Sequence, residues 1–284
     1  MKDKFKTNYT GLSEAEFSRV AEKWSCFLTT RGSRVFGTNS ETSDEDVCGL
    51  VCVPHLEYSQ DMYSSTVSTS ENDFTMMSLT KFLTSLEEGD PNTVEMIHID
   101  PKWWKKAPAP EIKWIFDSPT DFITKNYLVR NSNFVFNQVY GKKKGATDPK
   151  EKNKLFSHAL RCVNMGIQVI NETVAAGEVV PIKLDRTGID AEDIKRLKYQ
   201  TEENQLSIQE MEDICREKLS IYESLIEKHG SLFPTVLPDD IREPLVSSIM
   251  SLKWSRMADI TTAVEEFLGQ YKLEEKQLNK PIVK

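Results

Sequence analysis

Arg31-Gly-Ser-Arg-Val-Phe-Gly-Thr-Asn-Ser-Glu-Thr-Ser-Asp-Glu-Asp-Val-Cys-Gly-Leu-Val-Cys-Val53 sets a Gly-Ser turn and an acidic cluster between two apolar runs. It follows Cys26 to Thr30, a short apolar strand candidate that stops at Arg31-Gly32-Ser33. It ends in a second apolar strand, Asp46 to Val53, stopped by Pro54. Side chains two apart on a strand share a face, so Asp44 and Asp46 set two carboxylates side by side. Two like charges held close together are costly unless a cation neutralises them. Hard divalent ions, Mg²⁺ above all or Mn²⁺ in its place, accept such oxygen ligands and bridge them to phosphates. Gly32 lets the backbone approach a phosphate, and Ser33 offers a hydroxyl and an amide donor, expected at a helix N-terminus. A phosphate cradle, a spacer and paired carboxylates point to metal-assisted attack on the α-phosphate of a nucleotide. Taken alone, Ser-Asp-Glu-Asp reads as a solvated acidic loop. The Gly-Ser after a strand, Gly37-Thr38, Ser43 and the apolar strand after Asp46 argue jointly for a site.

With these residues the chain resembles the DNA-polymerase-β superfamily of nucleotidyltransferases: Gly32-Ser33, then Gly37-Thr38, then Ser43-Asp44-Glu45-Asp46. Further on, Leu79-Thr80-Lys81-Phe82-Leu83 leads into Gly89-Asp90-Pro91-Asn92-Thr93-Val94-Glu95, and Ser157-His158-Ala159-Leu160-Arg161 gives a His-x-x-Arg element. These are similar to the RNA-repair-pathway (RlaP-like) branch, which many phages also encode. The resemblance spans roughly residues 25–230. It implies an α+β fold: a palm-like mixed sheet with flanking helices, then an all-α part that closes over nucleotide and acceptor. It implies transfer of a nucleotidyl group from an NTP such as ATP to an acceptor, an RNA (tRNA) 3′ end, with release of pyrophosphate. It also implies a third metal-binding carboxylate, for which Asp73 is the choice and Glu71 the runner-up. Asp44, Asp46 and Asp73 would then be catalytic and metal-binding, with Gly32 and Ser33 on the β and γ phosphates. The chain departs from the pattern at Glu45, where an apolar residue is usual, and at Asp90, where Asn is usual.

His158 and Arg161 share a helix face, and either pack in the core or contact nucleotide phosphate. Lys142, Lys143, Lys144, Lys150, Lys152 and Lys154 outnumber Asp148 and Glu151 between residues 141 and 154. This basic run, with Lys142 chosen from it, is a candidate for holding triphosphate or an RNA end; Arg34 is a second. Trp103-Trp104 and the Tyr127/Phe134 pair either stack bases or belong to the core. Glu95 either braces its helix or touches substrate.

The rest of the chain sets bounds. Its 284 residues suggest two domains, placed at 1–118 (catalytic) and 119–284 (helical). Ser13-Glu14-Ala15-Glu16 reads as a capping box. Residues 55–72 read as a long loop, and 101–110 as irregular structure. Helices are expected from Lys81 to Gly89, from Leu155 to a stop at Gly177, and from a Ser207/Glu210 capping box to Gly230. One or two more are expected in the last fifty residues. A net charge of −8 argues against a general nucleic-acid coat or a basic membrane binder. No apolar run approaches the roughly 20 residues of a membrane span, so the expectation is a cytoplasmic protein, in the host cytoplasm if phage-encoded. Five irregularly spaced cysteines suggest reduced structural thiols. Two rivals stay open: AMP transfer to a protein or small molecule, and a catalytically silent nucleotide- or RNA-binding module.

Overall fold

A computed structural model describes residues 24–52, 64–68, 72–141, 148–200 and 205–278. The Ser13 capping box, Glu71 and Lys142 lie outside them, as does the side chain of Asp73. The fold is α+β. The strands β1 (Ser25–Arg31), β2 (Glu45–Val51), β3 (Ser64–Ser68), β4 (Asn72–Ser78) and β5 (Trp104–Lys106) form one mixed sheet in the order β3-β4-β2-β1-β5. β1 runs antiparallel to both β2 and β5, and β2 runs parallel to β4. The central strands are the ones with apolar runs, since Cys26, Phe27, Val47, Cys48, Leu50 and Val51 are all buried. Residues 55–72, expected to be loop, contain β3, which pairs antiparallel with β4. The short β5 likewise lies where irregular structure was expected. Both are edge strands. An edge can be held by backbone pairing alone and needs no apolar pattern, so Ser64-Ser65-Thr66-Val67-Ser68 gave no strand signal.

The helices follow their caps. Ser78 accepts a hydrogen bond from the Lys81 amide (3.1 Å) and starts α1 (Leu79–Glu88), whose Leu79, Phe82 and Leu86 are buried. Asp90 starts α2 (Pro91–Ile97) by accepting from both the amide and the hydroxyl of Thr93 at 2.9 Å. After α3 (Lys113–Asp117) and α4 (Lys125–Phe136) comes α5 (Pro149–Ala176), which starts earlier than Leu155 because Asp148 caps it and Pro149 occupies its first position. α6 (Ala191–Lys198), α7 (Ile208–His229) and α8 (Asp239–Leu278) complete the helical part. The Ser207/Glu210 capping box of α7 is present in both directions, at 3.2 and 2.7 Å. Replacing Ser207 by Ala should cost about 1 kcal/mol, read as a lower urea midpoint with an unchanged slope.

The buried core is continuous from the sheet through the helices. The last helix returns to the first half of the chain: Lys253 donates to Thr80 (2.7 Å), Arg242 to Glu87 (2.7 Å), and Trp114 to Ser248 (3.0 Å). All five cysteines are buried free thiols, and burial pushes Cys48 up to about 11 and Cys162 up to about 12. Neutral, enclosed thiols of this kind serve as small core residues. Among the described residues no helix is long and apolar enough to cross a membrane.

Candidate active site

β1 delivers the chain into a single 3-10 turn, Gly32–Arg34, where a helix N-terminus was expected. Gly32 has φ +78°, and a Cβ built there would lie 2.0 Å from Asp46 Oδ2. The turn therefore excludes every side chain twice, by its backbone conformation and by the carboxylate beside it. Thr38 N donates to Ser33 O (2.9 Å), closing the turn. The loop that follows is tied to itself and to its surroundings. Ser40 N donates to Ser43 Oγ (2.9 Å), Arg34 donates to the carbonyls of Ser43 (2.7 Å) and Asp44 (3.4 Å), and the Tyr199 hydroxyl donates to Thr38 O (3.2 Å). Gly37, at φ +67°, is closely approached by Thr187, and Arg186 N donates to Phe36 O (3.1 Å). The turn thus carries the segment between α5 and α6.

β2 begins at Glu45, so Asp44 stands just before the strand and is exposed, while Asp46 is half-buried within it. Asp46 sits in register between Arg31 on β1 and Asp73 on β4. Glu45, the departure noted above, is accommodated away from both aspartates. It accepts from Lys105 Nζ (2.9 Å) and Thr30 Oγ1 (2.8 Å). Burial works to raise its pKa, but these two donors outweigh it and hold the carboxyl below the usual range. Among the described residues no three His, Cys, Asp or Glu side chains form a group that could hold a metal ion. The Asp44 and Asp46 carboxylates are oxygen donors of the kind that suits a hard cation.

Gly32, Ser33, Asp44 and Asp46 line one side of a cavity of about 490 Å³, and Lys154, His158 and Arg161 of α5 with Lys198 and Tyr199 at the end of α6 line it too. Six of the sequence-selected residues therefore meet: Gly32, Ser33, Asp44, Asp46, His158 and Arg161. Arg34 braces the loop behind the aspartates and does not line the cavity. Lys154, from the lysine-rich run, does. His158 lies against the Phe134 ring (5.2 Å between centroids), and its Nε2 is 3.2 Å from an Arg161 nitrogen. Arg161 is 3% exposed. It pairs with Glu95 at 3.1 Å and lies 3.8 Å from the centre of the Phe36 ring, so Glu95 braces the site from below. The other aromatic candidates belong to the core: Tyr127 is fully buried, and Trp104 packs on Phe27 and Phe116 while donating to Ile99 O (3.0 Å).

Arg31, Lys198 and Tyr199 also line the cavity, although none was selected from the sequence. Only Arg31 carried a local signal, since it directly precedes the Gly32-Ser33 turn. Lys198 and Tyr199 reach the cavity through tertiary packing alone. The Tyr199 hydroxyl is lowered from its ordinary pKa: burial would raise it, but hydrogen bonds with Lys198, Ser43 and Ser40 prevail. Gly32→Ala should misplace the Asp46 carboxylate by an ångström or so and cost about 10²-fold in any activity of the site. Steady-state rates of the two proteins at equal folded concentration check this.

No protein-family model matches the chain, and no curated protein matches it. Among solved structures it is similar to a nucleotidyltransferase-like protein from Exiguobacterium sibiricum, with 11% identity over 89% of this chain and 88% of that one, and a TM-score of 0.28.

Proposed function

We propose that this protein is a metal-dependent nucleotidyltransferase that transfers NMP from an NTP to an RNA 3′ end. One observation carries the reading: the Gly32-Ser33 turn and the Asp44/Asp46 pair share a single cavity with the basic and imidazole groups of α5 and α6. Gly32 and Ser33 hold the β and γ phosphates through backbone and hydroxyl donors. Asp44 and Asp46 would hold Mg²⁺ or Mn²⁺, with Asp73, opposite Asp46 in the β2–β4 register, as the third carboxylate. The bound ion supplies charge neutralisation at the phosphates and lowers the pKa of the attacking hydroxyl. Lys154, Lys198 and His158 face the substrate, with Arg161 keeping His158 in place. Lys142 belongs to the same basic run and is assigned to the triphosphate or the RNA end.

The acceptor hydroxyl oxygen attacks Pα, and its proton passes to the carboxylate group that includes Asp73. The bond from Pα to the bridging oxygen breaks, and pyrophosphate leaves with that electron pair. The helical part, residues 119–284, closes over the nucleotide and excludes water, in the cytoplasm of the cell or of a phage's host. Incubation with each α-labelled NTP, Mg²⁺ and either RNA or total protein tests the reading. Label in RNA is the expected result. Label in protein or a small molecule would move the acceptor to that class. NTP binding with no transfer to any acceptor would leave a silent binding module.

A further inference from the structure

Two arginines line the cavity, and both are held by the same short helix. Arg31 ends β1, immediately before the Gly32-Ser33 turn, and its guanidinium donates to Asn92 Oδ1. Arg161 comes from α5 and pairs with Glu95. Asn92 and Glu95 are three apart on α2 and so lie on one side of it. The helix start is itself fixed, by Pro91 at its first position and by the Asp90 side chain on Thr93. The Gly89–Glu95 turn thus sets two guanidinium groups at one wall.

The two do not have the same freedom. Arg161 is enclosed, with Glu95, His158 and the Phe36 ring around it. Arg31 is half-buried, and Asn92 takes one of its five N–H donors. A planar guanidinium with donors to spare, one residue from a phosphate-sized turn, is suited to two-point contact with phosphate oxygens. It also sits across from Asp46 in the β1–β2 register, which places a fixed positive charge beside the carboxylate pair.

We propose that Arg31 is a triphosphate-binding residue of this site and that Asn92 is its positioning residue. The inference rests on the nucleotide-binding reading above and adds a residue and a role to it. Calorimetric titration tests it, using whichever of ATP, GTP, CTP or UTP the wild-type chain binds with Mg²⁺, and the matching nucleoside as a phosphate-free control. Arg31→Ala is expected to weaken NTP binding roughly 10- to 100-fold and to leave nucleoside binding unchanged. Arg31→Lys, which keeps the charge but not the fork, should recover only part of the loss. Asn92→Ala should weaken NTP binding less, and the double variant should be no worse than Arg31→Ala alone, because both act through one contact. Unchanged NTP affinity in Arg31→Ala overturns the proposal while leaving the nucleotide site standing. Equal losses for NTP and nucleoside overturn it as well, since they mark a purely structural role. If the wild-type chain binds no NTP, the site reading and this inference fall together.

Discussion

Asp46→Asn should abolish nucleotidyl transfer while leaving the fold in place. The swap keeps the shape of the side chain and removes one of the two described carboxylates that face the cavity. Metal-assisted charge neutralisation supplies several kcal/mol at a phosphoryl transition state, so about 4 kcal/mol lost is roughly 10³-fold in rate. Asp44→Asn should behave in the same way, although Asp44 stands just outside β2 and Asp46 within it. The double variant should lose little more than either single one, because both are proposed to hold the same ion. The measurement is initial rate at saturating Mg²⁺ and NTP, with melting temperature recorded beside it. Glu45→Gln is the control: its partners are Lys105 and Thr30, so its transfer rate should stay near that of the wild type.

The largest effect on stability is expected at Glu95. Its side chain is 5% exposed and that of Arg161 is 4% exposed, with 3.1 Å between the charged atoms. Glu95→Ala leaves a guanidinium in the core without its counter-charge, and breaking a buried pair in this way costs about 3–5 kcal/mol. Combining it with Arg161→Met should restore much of that loss, because an apolar pair of similar volume needs no charge compensation. Urea unfolding of the four proteins provides the cycle. Activity should not return with stability in the double variant, since His158 has then lost the nitrogen 3.2 Å from its Nε2.

Much of the site was legible because its residues are close in sequence. The Gly32 turn, the spacer and Asp44/Asp46 all fall between two strands that are themselves marked by apolar runs, and β1 and β2 pair directly. The helix start at Ser207 was legible for a similar local reason, since the cap and its amide lie within three residues; Ser78 and Asp90 cap α1 and α2 in the same way but were not read as helix starts. What the sequence concealed was set by tertiary structure. The edge strands β3 and β5 are short and paired on one side only, so they leave little pattern to read. The roles of Glu95 and Asn92 depend on arginines 66 and 61 residues away in the chain. Tyr199 reaches Thr38 across 161 residues, and no local pattern encodes such a contact. Net charge averaged over a cavity in which acidic and basic groups share the lining.

Attack at the α-phosphate fixes where a radiolabel on the nucleotide ends up. The purified chain would be incubated with Mg²⁺, RNA and one NTP, labelled in parallel reactions on the α- or the γ-phosphate. The account predicts α-label in RNA and γ-label in pyrophosphate, with both products absent in Asp46→Asn. Transfer of the γ-label to RNA, or its release as orthophosphate, would contradict it.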